Sequence, residues 1–148
     1  MAVEIISFPN GRQKLIYQNY VYIKLKELVH GIICWECCNR RNVRSCKAKI
    51  KTLDGVFQGS INTHTCAVFG NPEKVAALRS RAEIVLQANS SDDRSHTIIG
   101  SKTQALSDNV KAYLPRIETM KRGIRRLRES NNLPAPDRND MNFEIPDE

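Results

Sequence analysis

The chain has 148 residues and a formal net charge of +7, and 41% of its residues are hydrophobic. This length suits a single domain, or a small domain followed by an extension. We expect no disulfide framework, because the number of cysteines, five, is odd and no signal peptide is evident. No run of about 18 apolar residues appears, so we also expect no membrane span and no membrane partner.

Charge is distributed unevenly along the chain. Residues 1–70 carry a net charge of +6, residues 71–130 carry +5, and residues 131–148 carry −4. The composition also changes after Phe69. Together these features predict three parts: a small domain at 1–69, a helical region at 70–130, and an extended or disordered acidic tail at 131–148.

The first part has the alternating pattern of a small antiparallel β-sheet. We predict about four strands, at 14–18, 20–28, 31–37 and 44–52, and a shorter, weaker extended segment at 56–61. The fourth strand alternates between inward Cys46, Ala48 and Ile50 and outward Lys47, Lys49 and Lys51. The expected core is Leu15, Tyr22, Trp35, Ala48 and Ile50. A core this small needs a further stabilising element, such as a metal ion.

Three thiols and one imidazole in this part have the chemistry of a tetrahedral zinc site. The first-choice ligands, and with them Zn2+ as the cofactor, are Cys37, Cys46, His64 and Cys66. In a strand, His64 and Cys66 would share one face, and Cys37 would share a face with Trp35. Cys34 and Cys38 are rival ligands, because Cys34 forms a C-x-x-C with Cys37. The alternative is that all five cysteines are free thiols.

The second part has the pattern of about three helices. Asn71-Pro72 is a helix start, and apolar residues at spacings of three and four predict a helix at 72–88. A second helix is predicted at 101–114, and a third begins at Pro115. The third helix has a basic face made of Lys121, Arg122, Arg125, Arg126 and Arg128. The predicted fold class is therefore α+β: a small antiparallel sheet, about three helices and an acidic tail.

The order of motifs resembles the FLYWCH-type zinc fingers, relatives of the WRKY and glial-cells-missing fingers. The resemblance covers roughly residues 4–68 and rests on Tyr20-x-Tyr22, Trp35-x-Cys37, Cys46-x-Ala48 and His64-x-Cys66. Two positions depart from the family pattern. Cys66 replaces the usual second histidine, a change that keeps a zinc ligand. Asn19 replaces the usual glycine, and Asn adopts positive φ more readily than other non-glycine residues.

A second, less specific resemblance concerns the helical part. Leu114-Pro115, the basic run 121–128 and Leu133-Pro134 are similar to the helical stretch that follows the finger in Mutator-like transposases. This resemblance implies a transposon-derived protein, or the N-terminal portion of such an element.

The basic surface and the family resemblance together predict a zinc-dependent module that binds double-stranded DNA in the nucleus. Lysine and arginine gain affinity for DNA by releasing its counterions, and the outward lysines of the fourth strand and the arginines before it are suited to that role. The resemblance adds residues near the first two strands. The full predicted set is Arg12, Lys14, Tyr20, Tyr22, Lys24, Lys26, Arg40, Arg41, Arg44, Lys47, Lys49 and Lys51.

Two other classes of function are weighed against DNA binding. A protein–protein interaction or dimerisation module is the alternative, because three short amphipathic helices are suited to association through their apolar faces. An enzyme is not expected, since no nucleophile elbow or phosphate loop is present. Asp92-Asp93, the nearest pair of carboxylates, lies in a Ser- and Asn-rich segment that we interpret as solvated.

Overall fold

The computed structural model describes residues 3–42, 45–67 and 69–131. These residues form an α+β fold, as predicted, in which a sheet is followed by helices. The sheet has six strands, β1 (Glu4–Ser7), β2 (Gln13–Tyr17), β3 (Tyr20–Glu27), β4 (Ile32–Cys37), β5 (Lys49–Leu53) and β6 (Val56–Ile61). They pair in chain order and every neighbouring pair is antiparallel. The sheet is therefore a simple meander.

The prediction of about four strands was too low. The weak segment at 56–61 is a full strand, β6, and the strand β1 was missed because its four residues are too few to show an alternation. The strand predicted at 44–52 begins only at Lys49. The acidic tail predicted at 131–148 lies, beyond Asn131, outside the described residues.

Four helices follow the sheet: α1 (Pro72–Ser90), α2 (Ser95–Thr103), α3 (Asp108–Lys111) and α4 (Ile117–Ser130). The prediction of one helix at 101–114 was wrong, because α2 ends at Thr103 and α3 begins at Asp108. Ser107 begins α3 by accepting a hydrogen bond from the backbone N–H of Val110, which is an N-cap arrangement. A capping residue in the middle of the predicted helix therefore starts a new helix, four residues after α2 has ended.

Both faces of the sheet carry apolar residues, because side chains alternate along each strand. On the inner face Leu15, Tyr22, Trp35 and Ile50 form a buried cluster. All five residues of the predicted core, Leu15, Tyr22, Trp35, Ala48 and Ile50, are buried. Trp35 is fully buried, and its indole N–H donates to Thr52 Oγ1 at 2.8 Å, so its polar atom is also satisfied.

The outer face of β2 and β3 is covered by α1. Ile16 and Val21 of the sheet pack against Val75 and Leu78 of the helix in a second buried cluster. At its far end α1 contributes to a third cluster, formed with α2 and α4, whose members are Ile84, Ala88, Ile98, Ile99, Met120 and Ile124. One helix thus packs against both the sheet and the other helices.

Arg128 does not lie on the exposed basic face that the sequence suggests. It is buried, and its guanidinium donates to the backbone carbonyls of Ala88, Ser91 and Asp93. These contacts fix the turn that follows α1 against α4. No helix in the part of the chain that the structure describes has the length and apolar character needed to cross a membrane.

The chain enters α1 through a close contact with the β2–β3 turn. The backbone N–H of Asn71 donates to the Asn19 carbonyl at 2.8 Å. Asn19 has a φ of 61°, the conformation for which Asn is an acceptable replacement for glycine. Gly70 has a φ of +73°, and a Cβ built there would lie 2.6 Å from the Asn19 carbonyl oxygen. Only glycine fits this point between the sheet and α1.

This contact predicts different costs for two glycine-to-alanine substitutions. Gly11 has nearly the same φ, +77°, but nothing lies within 4 Å of a Cβ there. Gly11→Ala should therefore cost only the left-handed backbone penalty, about 1 kcal/mol. Gly70→Ala should cost at least about 1 kcal/mol more, because backbone atoms must move. Urea denaturation of both zinc-loaded variants measures the difference, and equal losses would contradict the packing argument.

Candidate metal centre and basic surface

Four side chains with metal-binding atoms converge at one end of the sheet. Cys37 is the last residue of β4, Cys46 lies three residues before β5, and His64 and Cys66 follow β6. Residues 62–67 form an irregular segment, so the strand expected to align His64 with Cys66 is not present there. The two side chains nevertheless point to one centre. Cys37 and Cys46 are buried, and His64 and Cys66 are half-buried.

The distances between these atoms fit a tetrahedral zinc ion. All four ligand atoms lie within 4.8 Å of one another. Cys37 Sγ is 3.8 Å from Cys66 Sγ, and His64 Nδ1 is 3.4 Å from Cys46 Sγ and 3.6 Å from Cys66 Sγ. A tetrahedron with Zn–S of about 2.3 Å and Zn–N of about 2.0–2.1 Å has edges of roughly 3.5–3.8 Å. The cluster can therefore hold zinc with little rearrangement.

Two tyrosines orient the imidazole of His64. Its Nε2 lies 2.7 Å from the hydroxyl of Tyr22, and its ring stacks on Tyr20 with centroids 3.5 Å apart. The Tyr20 hydroxyl in turn donates to the Ala67 carbonyl. When Nδ1 binds zinc, Nε2 must carry the proton and donate to the Tyr22 oxygen, which would fix the orientation of the ring as a ligand. Burial lowers the pKa of His64, and this also favours the neutral, metal-binding form.

The protein environment gives the thiols different acidities. Burial raises the pKa of Cys37 well above its usual range. Burial also raises the pKa of Cys46, but hydrogen bonds to its sulfur lower that pKa by more. These come from the backbone N–H groups of Ala48 and Thr65 and from the two other thiols. The pKa of Cys46 falls to about 7. Zinc binds thiolates, so binding displaces protons and weakens as the pH falls.

The two rival cysteines lie on the other side of the sheet from this cluster. Cys34 pairs across the strands with Lys26 and Lys51, whereas Cys37 pairs with Tyr22 on the inner face. Cys38 packs with the outer cluster beneath α1, and its sulfur accepts from Lys74 Nζ at 3.2 Å. Neither side chain belongs to the group of candidate metal ligands.

The comparison with known protein families agrees with this geometry. Residues 5–66 match the FLYWCH zinc finger domain, and the match ends at Cys66, the last candidate ligand. The family and the cluster together confirm zinc as the cofactor that the sequence predicted. A comparison with curated protein sequences found no match. We call residues 5–66 the finger from here on.

Several of the predicted DNA-contacting lysines lie on the outer face of the sheet. Lys26 and Lys51 are in one cross-strand row with Cys34, and Lys49 is in the next row with Glu36. We call Lys26, Lys49 and Lys51 the outer basic face. Lys47 is exposed just before β5. This face is opposite the metal centre, so its lysines and the zinc ligands do not compete for space.

An irregularity in β3 separates two lysines that the sequence places together. The register shifts between Lys24 and Lys26, so Lys24 is opposite Trp35 and Lys26 is opposite Cys34. A regular strand would put both lysines on one face. Lys24 instead lies at the inner side, where it forms an ion pair with Glu27. The alternation in the sequence gives no sign of this shift.

The other residues predicted to contact DNA do not lie on one common surface. Arg40 pairs with the buried Glu36, while Arg41 and Arg12 are exposed, and Arg44 lies outside the described residues. Lys14 is half-buried beside α1.

The structure also gives both predicted tyrosines a role at the metal centre. Tyr22 is only 3% exposed, so its side chain supports His64 rather than presenting a surface to DNA. Tyr20 is half-buried in its stack on the same imidazole. The spacing of the motifs did not reveal either contact, because 42 residues separate Tyr22 from His64.

The ligand geometry predicts a sharp contrast between neighbouring cysteines. Cys37→Ser or Cys46→Ser should abolish stoichiometric zinc binding and unfold the sheet, because structural zinc contributes folding free energy. Cys38→Ser should keep the metal, since its side chain lies on the other face. Elemental analysis and circular dichroism measure both properties. Retained zinc in Cys37→Ser together with loss of zinc in Cys38→Ser would contradict the assigned ligands.

The tyrosine contacts predict a graded effect on zinc affinity. Tyr22→Phe removes the hydroxyl that accepts from His64 and should weaken zinc binding about 10–100-fold. Tyr20→Phe keeps the stacked ring and loses only the bond to the Ala67 carbonyl, so it should have a smaller effect. Titration against a chromophoric zinc chelator compares the two, and an equal loss in both variants would argue against the orienting hydrogen bond.

Proposed function

We propose that this chain is a zinc-dependent module that binds double-stranded DNA through the outer face of its finger. The observation that carries the proposal is the separation of the two faces. The inner face holds the apolar core and the metal centre, and the opposite face presents Lys26, Lys49 and Lys51. Polyanions are bound by such surfaces through counterion release. The net charge of +7 acts in the same direction.

The proposal includes a nuclear location and a transposon-derived or transcription- or chromatin-associated role. These parts rest on the similarity of the motifs to FLYWCH and related fingers and on the likeness of the helical region to Mutator-like transposases. They add no catalytic step, and we propose a binding module rather than an enzyme.

A protein-binding module is the second candidate, and a groove beside α4 favours it. The groove has a volume of about 350 Å³ and lies between the β1–β2 loop, α1 and α4. Its lining includes the apolar side chains Phe8, Ile84, Met120 and Leu127. On α4 nearby, Ile117 is 56% exposed. An apolar groove with an exposed apolar side chain beside it is typical of binding sites.

A triple substitution in the outer basic face tests DNA binding. Lys26→Gln, Lys49→Gln and Lys51→Gln together should weaken binding to every duplex sequence alike, because phosphate contacts carry no sequence information. The slope of log affinity against log salt should fall by about 2.7 if each lysine contacts one phosphate. Fluorescence anisotropy of the zinc-loaded full chain with a labelled duplex measures both effects.

The helical region supplies a control with the same change in charge. Lys102, Lys111 and Lys121 each pair with a nearby carboxylate. Substituting these three with Gln should reduce affinity much less and leave the slope nearly unchanged. Equal losses in the two triple variants would mean that net charge alone drives binding. A zinc-loaded chain that binds no duplex at low salt would overturn the proposal and favour the protein-binding candidate.

A further inference from the structure

Three cations lie where the finger packs against α1. Lys14 lies in β2, on the same face as Ile16, which packs beneath the helix. Lys74 and Arg81 are seven residues apart on α1 and lie in one stripe with Leu78, which packs against Ile16 of the sheet. Both are close enough to Lys14 to act on it electrostatically. We call Lys14, Lys74 and Arg81 the junction triad.

The junction triad has no carboxylate partner among the described residues. None of its members forms an ion pair with an acidic side chain; Lys74 Nζ instead donates to Asn39 Oδ1 and Cys38 Sγ, each at 3.2 Å. Lys14 is half-buried, and burial is the main reason that its pKa is lowered. The charge of Arg81 adds to this effect, Cys38 opposes it, and Lys74 acts in the same direction as Arg81. Like charges are thus held together at a site that lacks an anion.

Neighbouring cations on the same helix are paired. Arg79, two residues before Arg81, donates to both carboxylate oxygens of Glu4 at 2.6–3.1 Å. Glu83, two residues after Arg81, pairs with Lys102. Glu4 and Glu83 therefore already have partners, and no carboxylate of the described residues forms an ion pair with the triad.

The triad is also within reach of the outer basic face. Lys14 and Lys49 belong to one cross-strand row that runs through Ile23 and Glu36. They are three strands apart, which corresponds to roughly 14–15 Å at the usual strand spacing. On the other side, Arg81 lines the groove beside α4, as does Arg126. The phosphate backbone of a nucleic acid carries repeated negative charges and can therefore contact both surfaces at once.

We propose that Lys14, Lys74 and Arg81 form a phosphate-binding site built jointly by the finger and α1, at which a duplex lying on the outer basic face places a backbone phosphate. The inference rests on the proposed DNA binding and adds a contact from outside the finger. It makes α1 part of the nucleic-acid interface rather than a separate helical element.

The test compares two double variants with the same change in net charge. Lys14→Gln with Arg81→Gln removes two triad cations, and Arg79→Gln with Lys102→Gln removes two cations that are already paired. In anisotropy titrations of the zinc-loaded full chain with a labelled duplex, the triad variant should lower the salt slope by about 1.8, and the control should leave it nearly unchanged. Equal slopes in the two variants would overturn the site.

A second measurement separates failure of this site from failure of the proposed function. Millimolar inorganic phosphate, compared with chloride at equal ionic strength, should raise the melting temperature of the wild-type and control chains more than that of the triad variant. If the outer-face variant weakens duplex binding but the two double variants behave alike in both assays, the triad is excluded and DNA binding stands. If no duplex binds, DNA binding fails, and the phosphate-dependent difference alone decides whether the triad is an anion site.

Discussion

The metal centre is the constraint on which the rest of the structure depends. The inner core of the sheet is small: four buried side chains with six partly buried apolar residues packed against them. Domains with so small a core usually need a further crosslink. The cluster joins the end of β4, the residue stretch before β5 and the irregular segment after β6, which has no strand partner of its own. That segment leads directly to Gly70 and α1. By holding His64 and Cys66, a bound metal would anchor the segment that precedes α1, whose start is capped by Asn71.

The long first helix converts the finger and the helical region into one packed unit. Its first half covers Ile16 and Val21, and its second half contributes Ile84 and Ala88 to the core of the helices. An isolated finger without α1 would expose an apolar patch on its outer face. Loss of the metal should therefore also destabilise the packing of α1, because α1 docks on the sheet that the metal stabilises.

Most of the lysines of the sheet lie on the face opposite the metal centre. The inner face contains the tryptophan, the tyrosines and the ligands. The outer face carries Ile16 and Val21 beneath α1 and, beyond them, Lys26, Lys49 and Lys51, which form no ion pair with an acidic side chain of the described residues. The outer face also carries a carboxylate, Glu36, which is buried and pairs with Arg40. The meander thus places the metal ligands and these lysines on opposite faces of a single layer of strands.

The sequence by itself determined the features that follow from local periodicity and ligand chemistry. Residue types and spacing identified Cys37, Cys46, His64 and Cys66, and alternation in β5 separated buried from outward residues. Tertiary structure alone decided the rest: the shift between Lys24 and Lys26, the support of His64 by Tyr22, and the packing of α1 on Ile16 and Val21. These depend on contacts between residues far apart in the chain, and such contacts leave no trace in a local pattern.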